Sequence, residues 1–366
     1  VSQRVIQRPW VELNGKQYLD FSSNDYLALR FDCELIEIYQ QALYESGIGS
    51  RGSPLVCGYD DIKATFENSF SDFLGLPKSL LFTCGYMANL AVFSKLYATD
   101  ATEIYLDKLC HASIYDGLSM RELSHTKIIR YPHLDLTYLE KKLASSQAKQ
   151  KLIVTEGIFS MSGQQAPISE LIALRNKYQA KLLVDDAHCI GVKGTSGQGS
   201  QFYATQLGEE IDLVICPLGK AFAMQGAIVS GSSADINTLI QQARPYIYST
   251  AINSALVKTL QAGLIKVQQA QYRRQTLQQN IDYFNHCKQQ TELVFWGTNT
   301  AIQFLIIGET ERAVKIYQQL LENGIHCYPM RYPTVPKKYQ GLRIVLSAAH
   351  TKLHIKQLFE QLERHL

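Results

Sequence analysis

Short apolar runs, each bounded by small or polar residues, recur through the middle of this chain, and stretches of helical spacing separate them. Between about residues 60 and 262 they predict strands at 79–83, 103–106, 128–131, 151–156, 181–184, 213–216 and 227–230, and helices at 62–74 and 87–96. The runs at 181–184 and 211–216 have the length and apolar character of buried strands. Strands separated by helices give the expected fold class, α/β with a mostly parallel central sheet flanked by helices. Upstream, residues 10–21 alternate around an Asn14-Gly15 pair and predict a small hairpin. Downstream, a long polar helix is expected over 255–288, then a strand at 301–307, a helix at 311–323, a strand at 342–347 and a closing helix at 352–365. The expected organisation is an N-terminal arm over 1–26, a large domain over 27–262 and a small C-terminal α+β domain over 263–366.

Composition narrows the class. With 366 residues, 46% of them hydrophobic, the chain can bury a large core, and a net charge of +3 without a run of basic residues gives no reason to expect nucleic acid or an anionic membrane as partner. The eight cysteines are scattered, with no Cys-x-x-Cys pair and no zinc-type ligand spacing, so reduced thiols, a cytoplasmic location and no metal are expected. No apolar stretch has membrane-spanning length and none reads as a signal peptide. Because the first residue is Val1, a native N-terminus lying further upstream is expected.

The candidate chemistry sits at two strand ends. Lys220 follows the 211–216 run among small residues, and Asp185 and His188 follow the 181–184 run. In a parallel α/β sheet the carboxyl ends of the strands are where ligands collect. An isolated lysine there is ordinarily a surface residue, and an isolated Asp-x-x-His ordinarily a turn. Together they supply what pyridoxal 5'-phosphate (PLP) chemistry requires: an amine for the cofactor aldehyde and a carboxylate that keeps a proton on the pyridine nitrogen. Cys84-Gly85-Tyr86 ends a predicted strand and opens a helix, where backbone N–H groups suit a phosphate. The glycines at 194, 197 and 199 suggest a dinucleotide loop, but they open no convincing helix, and a loop near the cofactor is the better reading.

Read in order, further segments make the pattern specific: Phe21-Ser22-Ser23-Asn24-Asp25-Tyr26-Leu27, Gly47-Ile48-Gly49-Ser50, His111-Ala112-Ser113, Thr155-Glu156-Gly157-Ile158-Phe159-Ser160-Met161, Tyr248-Ser249-Thr250, Pro333-Thr334-Val335-Pro336, and Leu342-Arg343-Ile344. Almost end to end the chain resembles the α-oxoamine synthases, fold-type I PLP-dependent enzymes with a central sheet and a small C-terminal domain. The resemblance implies that Lys220 forms the Schiff base and acts as the catalytic base. It implies that Asp185 meets the pyridine nitrogen, His188 the phenolic oxygen and His111 the ring face. Gly85 and Tyr86 would hold the phosphate, Ser160 would line the same site, and Thr250 would reach the phosphate from a partner subunit of a homodimer with a shared active site. Arg343 would bind the substrate carboxylate, with Asn24 and Arg4 as further substrate-binding candidates.

The implied reaction joins an amino acid to an acyl thioester with loss of carbon dioxide. The expected pair is L-alanine with a pimeloyl group carried by coenzyme A or an acyl carrier protein. Family members using glycine or serine, a synthase of a signalling aminoketone, and a non-catalytic PLP-fold interaction subunit are the alternatives; the last would be marked by loss of the lysine, and Lys220 is present. The chain departs from the family pattern at Pro217, where a hydroxyl that contacts the phosphate is usual, and at Arg51, where glycine is common. Weaker cofactor binding, or a larger part for Thr250 of a partner subunit, is expected from the first, and an altered acyl-chain preference from the second.

Overall fold

A computed structural model of the chain describes residues 3–7, 9–96, 102–120 and 126–366. Its contacts divide the chain into two compact units, one of 1–32, 158–165 and 270–366, the other of 33–157 and 166–269.

The first unit begins with β1 (Gln3–Gln7), β2 (Trp10–Leu13) and β3 (Lys16–Asp20). Asn14 and Gly15, both at positive φ (51° and 79°), turn β2 into β3 as the Asn-Gly pair predicts. The second unit carries a seven-stranded sheet: β4 (Lys78–Phe82), β5 (Thr102–Asp107), β6 (Lys127–Tyr131), β7 (Gln150–Glu156), β8 (Lys181–Asp185), β9 (Leu213–Pro217) and β10 (Ala227–Gly231). Their order is β4-β10-β9-β8-β7-β5-β6. From β9 to β6 every pair is parallel, and β10 runs antiparallel to both neighbours. The mostly parallel sheet is therefore as expected, and each strand lies within a residue or two of its predicted place. Leu182, Leu183 and Val184 of β8 and residues 213–216 of β9 are fully buried, which explains why these runs do not alternate.

The first unit resumes with β11 (Ile302–Ile306), β12 (Ile325–His326), β13 (Tyr328–Met330) and β14 (Gly341–Val345). β12 adds in parallel to β3, and β11-β14-β13 form a separate antiparallel sheet. The N-terminal segment is tied into this unit: Val345 N–H donates to Phe21 O, Ala348 N–H donates to Tyr26 O, and the Phe21 and His350 rings stack 4.3 Å apart. The single polar helix expected over 255–288 is two helices, Ser254–Gln269 and Gln271–Gln289. At Ala270 a ψ of 31° breaks the helical ladder, and the Gln-rich sequence offers no glycine or proline to mark it. No helix of the described residues is long and apolar enough to cross a membrane.

Candidate active site

The sheet of the second unit brings the expected chemistry to one end. β8 and β9 pair in parallel with Asp185 opposite Ile215, so Asp185 closes β8 beside the last residues of β9. Lys220 follows in the 218–226 loop joining β9 to antiparallel β10. That loop is closed by Leu218 N–H to Gly226 O, Met224 N–H to Leu218 O and Ala223 N–H to Lys220 O. Ala223 and Gly226 lie at positive φ (58° and 138°), the conformation needed to fold the chain back so tightly.

Asp185 is 4% exposed and anchored on both oxygens, Oδ1 by Ala187 N–H (3.1 Å) and Oδ2 by the Asn89 amide (2.8 Å). Asp186 beside it is fully buried. It accepts from Ser200 Oγ–H (2.5 Å) and Ser200 N–H (3.0 Å), and its carbonyl accepts from Cys189 and Ile190 N–H, fixing the turn that holds buried His188. Burial raises the Asp186 carboxyl to about 7. The glycine loop therefore wraps a carboxyl group: Gly199 (φ 66°, ψ −136°) is so close that a Cβ there would overlap Asp186 Oδ2. The 194–199 stretch opens only the short Ser200–Thr205 helix.

Gly85 begins the Gly85–Lys95 helix after β4. Its Cα approaches Pro217 so closely that a Cβ would lie 2.6 Å from Pro217 Cγ, so the turn after β4 and the end of β9 meet. Ala88 N–H is the first to return to the chain, donating to Cys84 O, which leaves the preceding N–H groups of the first turn for an anion. The exposed Tyr86 side chain donates its hydroxyl to Asp116. His111 precedes the Ala112–Ser119 helix, and its Nδ1 caps the helix by accepting Ser113 N–H. Exposed Thr250 lines a cavity of about 20 Å³ with Thr83, Tyr59 and Glu67. There burial raises Glu67 to about 7, although it accepts from Tyr59 O–H (2.7 Å) and Leu81 N–H (2.8 Å). Arg51 stands at φ 65°, the left-handed region that favours glycine, beside a cleft of about 430 Å³ shared with Lys63 and Ser254.

Arg343, Asn24 and Ser160 come together in the first unit. Arg343, on the central strand β14, is 6% exposed. Its Nε–H donates to Ser160 O (2.7 Å) and its Nη2–H to Asn24 Oδ1 (2.9 Å), while Tyr26 O–H donates to the same Asn24 oxygen (3.2 Å). Burial pushes the guanidinium below its ordinary value, and no carboxylate among the described residues pairs with it. A buried cation held by neutral oxygens favours an incoming anion. Arg4 lies in β1, and its side chain falls outside the described residues.

Three residues of this arrangement lie in segments singled out in the sequence but carried no assigned role there: Asn89, Ser113 and Asp186. Asn89 had a legible signal as the lone polar residue in the apolar run from Met87 to Phe93; the partners of the other two are set by folding.

A family model, aminotransferase class I and II, matches residues 16–362, and the chain belongs to this family. Among curated relatives, 8-amino-7-oxononanoate synthase of Hydrogenovibrio crunogenus is 40% identical over 360 residues, covering 96% of this chain and 88% of that protein. Among solved structures, 8-amino-7-oxononanoate synthase from Francisella tularensis superposes with a TM-score of 0.80 at 31% identity, covering 95% of this chain and 97% of that one. A serine palmitoyltransferase from S. paucimobilis, with a bound PLP–myriocin aldimine, gives 0.93 at 28% identity, covering 99% and 90%. These likenesses extend over the whole fold.

Proposed function

We propose that this chain is a PLP-dependent acyltransferase that condenses L-alanine with a pimeloyl thioester, on coenzyme A or an acyl carrier protein, to give 8-amino-7-oxononanoate in biotin synthesis. The observation that carries this reading is the placement of Asp185 and Lys220 at the ends of paired strands, in a chain 40% identical over 96% of its length to a synthase of that name.

The residues fit the cofactor. Lys220 offers the amine for its aldehyde. Asp185, held on both oxygens, offers a buried carboxylate for the pyridine nitrogen. The first turn at Gly85 and Tyr86 offers N–H groups for the phosphate, and the close packing of Gly85 on Pro217 leaves no room for a side chain at that turn. His188 and His111 are assigned to the phenolic oxygen and the ring face, and Thr250, from a partner subunit, to the phosphate. When bound, PLP supplies a ring that accepts the electron pair left on the alanine α-carbon.

The chain's own groups do the rest. Arg343 binds the alanine carboxylate, oriented by Ser160 O and Asn24. The Lys220 amine would remove the α-proton, and the Asp185 carboxylate would accept from the pyridine N–H and so keep that nitrogen protonated. A carbon–carbon bond then forms between the α-carbon and the thioester carbonyl as the carbon–sulfur bond breaks and the thiol leaves. Loss of the carboxyl group as carbon dioxide and return of a proton to the α-carbon complete the balance. A cytoplasmic homodimer is the expected assembly. Tyr44, Ile48 and Val56, at 91%, 89% and 81% exposure, are apolar side chains for such an interface to cover.

Borohydride treatment of the PLP-loaded chain, followed by peptide mass mapping, tests the assignment. The cofactor mass is expected on the peptide bearing Lys220; a label on another lysine, or none, contradicts the reading.

A further inference from the structure

His111 and Asp185 are joined by an unbroken chain of hydrogen bonds. The Asn89 amide nitrogen lies 2.8 Å from Asp185 Oδ2 and 2.9 Å from Ser113 Oγ. Ser113 Oγ lies 2.7 Å from His111 Nδ1, and Ser113 N–H donates to the same nitrogen at 3.3 Å. Asn89, Ser113 and Asp185 are 2%, 0% and 4% exposed, whereas His111 at the end of the chain is exposed.

Counting donors gives this chain a direction. A carboxylate only accepts, so Asn89 must turn its NH₂ toward Asp185, and the second proton of that NH₂ goes to Ser113 Oγ. The serine hydroxyl, having accepted there, gives its own proton to His111 Nδ1. The backbone N–H of Ser113 supports the same assignment more weakly, at 3.3 Å against 2.7 Å for the hydroxyl, so the hydroxyl carries most of the preference. Nδ1 thus accepts twice, and the ring proton stands on Nε2. Asn89 Oδ1 is buried with no hydrogen-bond partner among the described residues, so the amide is oriented for its donors at the expense of its acceptor.

We propose that Asn89 and Ser113 are positioning residues that orient the Asp185 carboxylate and fix His111 in its Nε2–H tautomer, setting both groups as one unit before the cofactor binds. The consequence for PLP rests on the function proposed above; the tautomer is a property of the chain alone.

The test is ¹⁵N spectroscopy of the cofactor-free protein labelled at histidine, with the His111 signals assigned by their loss in His111→Gln. Nδ1 is expected unprotonated and Nε2 protonated in the parent. Ser113→Ala should lower the Nε2–H fraction, and Ser113→Thr, which keeps the hydroxyl, should restore it. A proton on Nδ1 in the parent, or an unchanged tautomer in Ser113→Ala, overturns the proposal. In a PLP titration followed by absorbance, Asn89→Leu should bind roughly ten- to a hundredfold more weakly, the worth of one hydrogen bond to a charged group. An affinity within about twofold of the parent overturns the role at Asp185. A parent chain that takes up no PLP would refute the cofactor reading instead, with the tautomer still deciding this proposal.

Discussion

Replacing Gly199 with alanine isolates the contact between the glycine loop and the carboxyl pair at the end of β8. The backbone stands at φ 66° and ψ −136°, a region that residues with a side chain avoid at about 1–3 kcal/mol. The added Cβ would also overlap Asp186 Oδ2, the oxygen that accepts Ser200 N–H at 3.0 Å. The carboxyl group must swing away in a fully buried setting, and a buried polar group left unsatisfied costs about 1–3 kcal/mol more. The expected loss is therefore about 2–6 kcal/mol. Gly208 is the control: it has φ 69°, and nothing among the described residues lies within 4 Å of the position its Cβ would take, so Gly208→Ala should cost only the left-handed strain of about 1–2 kcal/mol. Equilibrium urea unfolding at fixed protomer concentration measures both. In an Asp186→Ala background the cost of Gly199→Ala should fall toward that of Gly208→Ala. Equal losses in the two glycine variants, or an undiminished loss in the Asp186→Ala background, would refute the close contact as the reason for glycine at 199.

Asp186, raised to about 7, keeps its proton where the unfolded chain has lost it, so its contribution makes folding less favourable as pH rises from about 4 to about 7, by at most about 4 kcal/mol. Asp186→Asn is expected to flatten that fall in urea unfolding measured across this window without abolishing it, because Glu67, also raised to about 7, has the same sign. Arg343→Leu should raise the KM for the amino acid roughly ten- to a hundredfold through loss of a charge-assisted contact, with far less effect on the thioester KM; an equal rise in both would argue against carboxylate binding at this residue. Pro217→Ser places a hydroxyl where the end of β9 meets Gly85, and PLP titration should show tighter binding by about 0.5–1.5 kcal/mol. Unchanged affinity would separate Pro217 from the phosphate.

The central sheet was legible because its strands are short apolar runs with clear punctuation, and β8 and β9 ended where their composition changed. The antiparallel course of β10 was not, since direction follows from how a loop folds back and an apolar run reads the same both ways. The break at Ala270 escaped because a dihedral change at one alanine leaves no mark in a Gln-rich helix. At the candidate site, Lys220, Asp185 and His188 stood at strand ends where ligands collect. The Asn89 links did not show, because its partners Asp185 and Ser113 lie 96 and 24 residues away and each is an ordinary polar residue until the helices pack. The glycines at 194–199 were seen, but their buried neighbour Asp186 was not, since a second aspartate beside the first carries no spacing signal.

Mass-spectrometric analysis of product from the PLP-loaded chain, given L-alanine with pimeloyl-CoA and run beside mixtures of glycine or serine with other acyl thioesters, tests the proposed function most directly. The mass of 8-amino-7-oxononanoate is expected from the alanine and pimeloyl-CoA mixture alone, and none from Lys220→Ala. Product from a different pair, or a normal yield from Lys220→Ala, would contradict it.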